Sequence, residues 1–561
     1  MLEKIGKEHN SFLAQSVADK KVLVIVPHED DEINVAGSIM YSYVHKGADV
    51  YCAFTTNGDF SFSAATRMDE AKRALTVLGV KNIIFLGYGD TSNNYKGGHL
   101  FYAEQRPVES PSGHNETYGS DIALDYAYQK HKKHSPYCRS AFRNDIQELL
   151  LDIQPDIIFC VDLDLHSDHR AASILFEEAM GKILCRPNNM YRPTVFKGFA
   201  YCTSFGALKD FYDINIRSVL LPSPREDVII DKSLYTWKDR VRIPVLPACR
   251  GHFLRHNILY KALFQHASQS AALHAVRIAN ADAVFWQRRT DNLVYQARIA
   301  GSSGDYQRVA EFNVLNIRDI DSKAISFTQY LWSPKTNDTK KTVSFHWDKN
   351  VDIAYLEIGG NVENTGRINK IEVSFSNGSK YILGPLPKAG NLLHYRLPAV
   401  QRTDACQLRI LGTEGTDYGI STVGLYSCQF PENLEIPYIK IMCENEFIYD
   451  YIIPFSTREC QLSVYRYGTE EDVIYHLQEN SKSQITDSGK VIFSSSDQVL
   501  YVRAELKTHP GIYDEVCIHR VTGSYIKRIN FLQRIEAALL DFYLRKYRKY
   551  THIRHKYLKQ I

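Results

Sequence analysis

Two short segments hold the residues best suited to chemistry. The first is Pro27-His28-Glu29-Asp30-Asp31-Glu32, and the second is His166-Ser167-Asp168-His169. Imidazole nitrogens and carboxylate oxygens are natural zinc ligands at about 2.0 to 2.2 Å, and three protein ligands leave a coordination position open. Zinc lowers the pKa of a bound water toward about 7. A spare carboxylate nearby can then accept that water's proton. Each segment also has a plain reading. A His-x-x-His pair is often a surface or capping feature, and Asp31 or Glu32 could simply cap a helix. Both segments together, each at the end of an expected strand, favour a metal site.

The elements around them must bring the two segments to one place. Lys21 to Val26 is an unbroken apolar run of the kind that forms a buried parallel strand. Ile33, Ala36, Met40, Tyr43 and Val44 follow at helical spacing. Val50 to Thr55 and Ile83 to Leu86 read as strands, with a helix from Arg67 to Leu78 stopped by Gly79. Asp145 to Asp152 reads as helix and Ile157 to Val161 as another buried strand. This alternation predicts a doubly wound, Rossmann-like α/β domain, which binds ligands at the carboxyl ends of its strands. Tyr88 to about Ser140 is polar and reads as a long insertion near the mouth of the site.

After about Asp291 the rhythm changes to short β-type runs: Val343 to Trp347, Ile353 to Ile358, Lys370 to Phe375, Leu392 to Leu397, Gln407 to Leu411 and Ile420 to Tyr426. Gly and Asn turns between them predict an antiparallel sandwich. Strand-like pieces continue to about Ile518. The expected division is therefore an α/β domain over 1–290, a β-sandwich over 291–430, a small β domain over 431–525 and a helix over 526–561. From Lys527 to Ile561 ten basic residues face two acidic ones, a net +8, with apolar residues at helical spacing. This predicts a basic amphipathic helix.

The whole chain of 561 residues carries 67 Lys and Arg against 64 Asp and Glu. That balance argues against a nucleic-acid binder. No run of eighteen apolar residues exists, the N-terminus lacks the apolar core of a signal peptide, and 11 Cys are scattered without a Cys-x-x-Cys pair. The expectation is a cytoplasmic protein with reduced thiols.

The first 290 residues resemble the PIG-L/LmbE-like zinc-dependent N-deacetylases, whose signature is Pro/Ala-His-Pro-Asp-Asp-Glu followed later by His-x-Asp-His. The resemblance implies that His28, Asp31 and His169 bind zinc and that Asp30 is the general base. It implies that His166 polarises the carbonyl or protonates the leaving amine, with Asp168 holding it. Thr56-Asn57-Gly58, Arg67-x-x-Glu70, Leu86-Gly87-Tyr88-Gly89-Asp90 and Lys261-x-x-x-x-His266-x-Ser268-Gln269 are weaker matches. From these, Arg67, Asp90 and His266 are substrate-binding candidates. Glu29 departs from the family's Pro. The implied activity is removal of acetyl from an N-acetylglucosamine-type sugar in a glycan, glycolipid or glycoconjugate. A zinc amidase acting on another acylated amine, and a glycan- or envelope-binding protein with a vestigial metal site, are the competing readings.

The middle β region resembles galactose-binding-like (discoidin-type) sandwiches through Phe345-His346-Trp347, Asn369 to Phe375 with Asn377-Gly378, and Tyr418 to Val423. Such domains bind glycans or act as spacers. For the basic helix, peripheral contact with an anionic membrane at the inner face is the favoured reading, against packing on the β domain or RNA binding.

Overall fold

The structure is a computed structural model. It describes residues 17–91, 100, 103–162, 166–187, 189–200, 241–244, 246–249, 257–274, 282–311, 331–361, 365–388, 391–428, 438–444, 446–448, 450–467, 469–510, 512–524, 527 and 531. Almost all of the segment read as a basic C-terminal helix lies outside the described residues.

The N-terminal unit is built on strands β1 (Lys21–Val26), β2 (Asp49–Thr56), β3 (Asn82–Tyr88), β4 (Ile157–Val161), β5 (Thr194–Gly198), β6 (Val241–Pro244) and β7 (Asp282–Arg288), in the order β3-β2-β1-β4-β5-β7-β6. β1 to β5 run parallel, while β7 is antiparallel to both β5 and β6. Every residue of β4, and all of β1 after Lys21, is buried. That is why these strands read as continuous apolar runs. Helices α1 (Asp31–His45), α2 (Ala64–Leu78), α3 (Tyr126–His131), α4 (Arg139–Ile153), α5 (Ser167–Leu184) and α6 (Ile258–Leu263) accompany the sheet. Ser63 caps α2 by accepting from Thr66 N, and Gly79 ends it in the left-handed region at φ 79°. The strand order reverses between β1 and β4, the switch point at which doubly wound sheets open a crevice. The segment from Tyr88 to Ser140 has α3 as its helix and a single β-bridge, Glu116 to Pro136, among the described residues.

The middle unit comprises β8 (Arg298–Gly301), β9 (Thr342–Gly359), β10 (Gly366–Phe375), β11 (Lys380–Leu383), β12 (Leu392–Gly415) and β13 (Thr422–Tyr426), with sheet order β11-β10-β12-β9-β13 and β8 on β9. Four of the expected short strands are two long ones. The exposed, turn-like residues Asp348 to Asn350 and Pro398 to Val400 do not end β9 and β12. The two strands stay paired through Gln401 with Ile353 and Thr403 with Val351, across register shifts that absorb the irregularity.

The third unit has two sheets. β15-β14-β17-β20-β19 comprises β14 (Tyr438–Cys443), β15 (Glu446–Phe447), β17 (Glu459–Tyr467), β19 (Gln484–Ile485) and β20 (Lys490–Ile492). β16-β22-β21-β18 comprises β16 (Asp450–Pro454), β18 (Val473–Leu477), β21 (Val499–Leu506) and β22 (Tyr513–Val521). One apolar core, including Ile441, Leu462, Val502 and Ile518, joins them. No helix among the described residues is long and apolar enough to cross a membrane. The ten described cysteines are free thiols.

Candidate active site

β1 ends at Val26 and delivers Pro27 to Asp30 to the carboxyl end of the sheet, where α1 begins at Asp31. From the neighbouring strand, β4, the chain returns at His166, the N-cap of α5. The parallel pairing of β1 with β4 is what makes the two segments meet. Asp31 Oδ2 lies 3.0 Å from His28 Nδ1 and 3.0 Å from His169 Nε2. His28 Nε2 lies 3.1 Å from Asp168 Oδ2 and 4.0 Å from Asp90 Oδ1. His28, His166 and His169 can each bring a ring nitrogen within 4.8 Å of the others, and His28, Asp90 and Asp168 form a second such group.

Burial sets the electrostatics. His28, Asp31 and His169 are buried, and only His166 keeps a partly exposed side chain, at 22%. Burial opposes the charged form of His28, but the Asp90, Asp168 and Asp31 carboxylates outweigh it and raise its pKa. Burial likewise opposes ionisation of Asp31, yet His169 and His28 hold it well below the usual range. Asp168, also buried, is drawn down to about 2 by His28, His166 and Thr91. Asp30 moves the other way: burial, then the Asp31 charge, raises it to about 6. A buried carboxylate poised near neutrality suits a general base.

A metal is tested by the donor set. Asp31 Oδ1 is buried with no hydrogen-bond partner among the described residues, while its other oxygen serves two histidines. An orphaned carboxylate oxygen in a nest of imidazoles is costly unless a cation completes it. His28 also offers its far nitrogen to Asp168, the carboxylate–histidine arrangement that orients metal ligands. The residues present fit zinc.

Residues 23–180 match the family model described as PIG-L: GlcNAc-PI de-N-acetylase. They form a PIG-L family domain. A diacetylchitobiose deacetylase from Thermococcus kodakarensis is 35% identical over 85 residues, covering 14% of this chain and 32% of that protein. The match thus spans about a third of the length of that curated relative. Among solved structures, the N,N'-diacetylchitobiose deacetylase from Pyrococcus horikoshii, complexed with its inhibitor, is 18% identical. It covers 51% of this chain and 91% of that one, at TM-score 0.29. The family 32 CBM from C. perfringens NanJ, in complex with galactose, is 13% identical. It covers 23% of this chain and 92% of that one, at TM-score 0.18.

Within the PIG-L domain the remaining expected residues fall in distinct places. Asp168 does not bond the His166 ring through its carboxylate, which lies 3.7 Å from Nδ1. Its backbone N–H meets that nitrogen at 3.2 Å instead, and its carboxylate is taken by His28 and by the hydroxyl and N–H of Thr91. With Nδ1 accepting, the mobile proton of a neutral His166 sits on Nε2. Arg67 and Asp90 are buried beside the cluster, with Arg67 Nη2 3.9 Å from Asp30 Oδ1. Asp90 is fixed by Phe60 N, at 3.3 Å from its Oδ2.

Glu29, where the family has Pro, is fully buried and accepts from Arg67 Nε at 3.3 Å. Burial pushes its pKa to about 8 despite Arg67. His266 is fully buried, with Nε2 2.7 Å from Glu32 Oε1. It therefore touches the cluster through Glu32. Glu32 Oε2 accepts from the Asp30 N–H at 2.7 Å, a carboxylate in the first turn of α1 reaching back to the N-cap residue. Thr91 was missed by sequence reasoning; its place directly after Asp90 was the available signal.

Proposed function

We propose that the PIG-L domain is a zinc-dependent hydrolase that removes the acetyl group from an N-acetylated amino sugar of the N-acetylglucosamine type. The observation that carries this reading is the meeting of His28 and Asp31 with His169 and Asp168 at the β1/β4 switch point, with Asp30 beside them. His28, Asp31 and His169 would hold the metal. Zinc, when bound, supplies Lewis acidity toward a carbonyl and makes water acidic enough to attack near neutral pH.

The chain's own residues do the rest. Asp30 accepts the proton of the attacking water as its oxygen bonds to the acetyl carbon. His166, through Nε2–H, donates to the oxygen that gains charge. The sugar nitrogen then takes the proton that Asp30 had accepted as the C–N bond breaks, so that acetate and the amine leave and Asp30 is again a free carboxylate. Asp90 Oδ1, buried without a hydrogen-bond partner among the described residues, is an acceptor available to a sugar hydroxyl. Arg67 sits with the same carboxylates and would bind a neighbouring hydroxyl.

The reading is tested by incubating the zinc-loaded protein with N-acetylglucosaminyl oligosaccharides and glycolipids and measuring acetate. Release from at least one of them is expected. Release only from acylated amines that are not sugars would replace it with a general amidase. The middle β unit and the basic C-terminal segment would bind glycan and an anionic membrane surface respectively, which glycan and vesicle binding by the full chain would test.

A further inference from the structure

We propose that Glu32 and His266 are positioning residues that hold Asp30 in a strained backbone conformation and thereby aim the general base. The inference rests on the role given to Asp30 above.

Asp30 stands at φ 138° and ψ −24°, a region that residues with a side chain rarely occupy. Such strain persists only where the surroundings over-determine it, and it gathers at functional sites. The surroundings here are specific. The Asp30 N–H donates to Glu32 Oε2 at 2.7 Å. The Asp30 carbonyl accepts from Ile33 N at 3.2 Å, Asn34 N at 3.3 Å and Asn34 Nδ2 at 3.1 Å. The Asp30 carboxylate reaches Arg67 only at 3.9 Å, beyond hydrogen-bond range. Its direction is therefore set by the backbone more than by side-chain bonds.

Glu32 can do this because its other oxygen is fixed. Oε1 lies 2.7 Å from His266 Nε2, and both side chains are fully buried. His266 Nδ1 is buried with no hydrogen-bond partner among the described residues, so the ring has no competing tie there. The loop carrying His266 is itself pinned: Ser268 N and Oγ donate to Glu70 at 2.8 and 2.6 Å, one helical turn along α2 from Arg67. The line from His266 through Glu32 to the Asp30 N–H joins residues 234 positions apart to the strained residue. Without His266, Glu32 is free to rotate, the Asp30 N–H loses its acceptor, and the backbone relaxes toward an ordinary region. The carboxylate then swings from its working direction. Misplacement on the order of 1 Å costs about 10²-fold in rate.

The test uses the full zinc-loaded chain with diacetylchitobiose as probe. His266→Leu is expected to retain zinc, keep KM within about twofold and lose about 10- to 100-fold in kcat. His266→Gln, whose amide can still donate to Glu32, should recover most of that loss. In an Asp30→Asn background His266→Leu should cost less than about twofold further, because residues acting as one unit are not additive. Wild-type kcat in His266→Leu overturns the inference, as does an equal loss in both backgrounds or a His266→Gln no better than His266→Leu. If His266→Leu does not fold, Glu32→Leu replaces it, since it removes the acceptor of the Asp30 N–H outright. It should show the same non-additivity with Asp30→Asn, and additive losses would overturn the inference. A wild-type protein that releases no acetate from any acetylated sugar removes the functional reading and this inference with it. Normal release by wild type and variants alike removes the inference alone.

Discussion

His28 Nε2 and Asp168 Oδ2 stand 3.1 Å apart although 140 positions separate them in the chain. The contact exists because β1 and β4 are parallel neighbours, with Val22 opposite Ile157 and Ile25 opposite Cys160. It orients the ring whose other nitrogen meets Asp31, so the two motifs work as one constellation.

Removing a metal-side residue should empty the site. We expect about one zinc per purified chain, and His28→Ala, Asp31→Ala and His169→Ala should each lower occupancy, since each deletes one of three protein donors. Elemental analysis after dialysis checks this. Full occupancy in all three variants would refute the assignment.

Gly58 has no room for a side chain. A Cβ there would stand 2.3 Å from Glu29 Oε2 and 2.4 Å from Arg67 Nε, and its φ of 60° already disfavours one. The left-handed backbone alone costs about 1 to 2 kcal/mol for a non-glycine residue. Gly58→Ala should therefore lower thermal stability and, by displacing Arg67, raise KM more than it lowers kcat. An unchanged KM together with wild-type stability would show that the Glu29–Arg67 pair does not shape the substrate side.

Asp145 gives a pH signature away from the proposed metal site. Burial raises its pKa from 3.8 to about 6, although Tyr88 and Ser135 donate to it. Between those values the folded state holds a proton that the unfolded state has released. This contribution to stability is thus present below about pH 4 and lost as pH rises through about 6. The melting temperature of Asp145→Asn relative to wild type should accordingly climb from pH 4 to pH 7. A difference that stays constant with pH would contradict the assignment.

Much of this was legible in the sequence because burial on both faces leaves a plain mark. Lys21 to Val26 and Ile157 to Val161 match their strands end to end, and Gly79 ends α2 as expected. Both chemical motifs could be placed at strand ends for that reason. The middle unit was harder. Asp348 to Asn350 and Pro398 to Val400 are exposed and turn-like in composition, yet cross-strand pairing carries β9 and β12 through them. Local composition holds no record of a partner strand. The role of Glu29, the contacts of Thr91 and the burial of His266 against Glu32 were illegible for a related reason: each depends on residues dozens to hundreds of positions away.

The most direct test of the account is Asp30→Asn, measured for zinc content and for acetate release in the same preparation. The substitution keeps the size of the side chain and removes its capacity to accept the proton. Zinc should stay near one per chain while kcat falls by about 10² to 10⁴, the range expected when a general base is lost. Near wild-type turnover would place the base elsewhere, and loss of zinc would make Asp30 a ligand; either result contradicts the account.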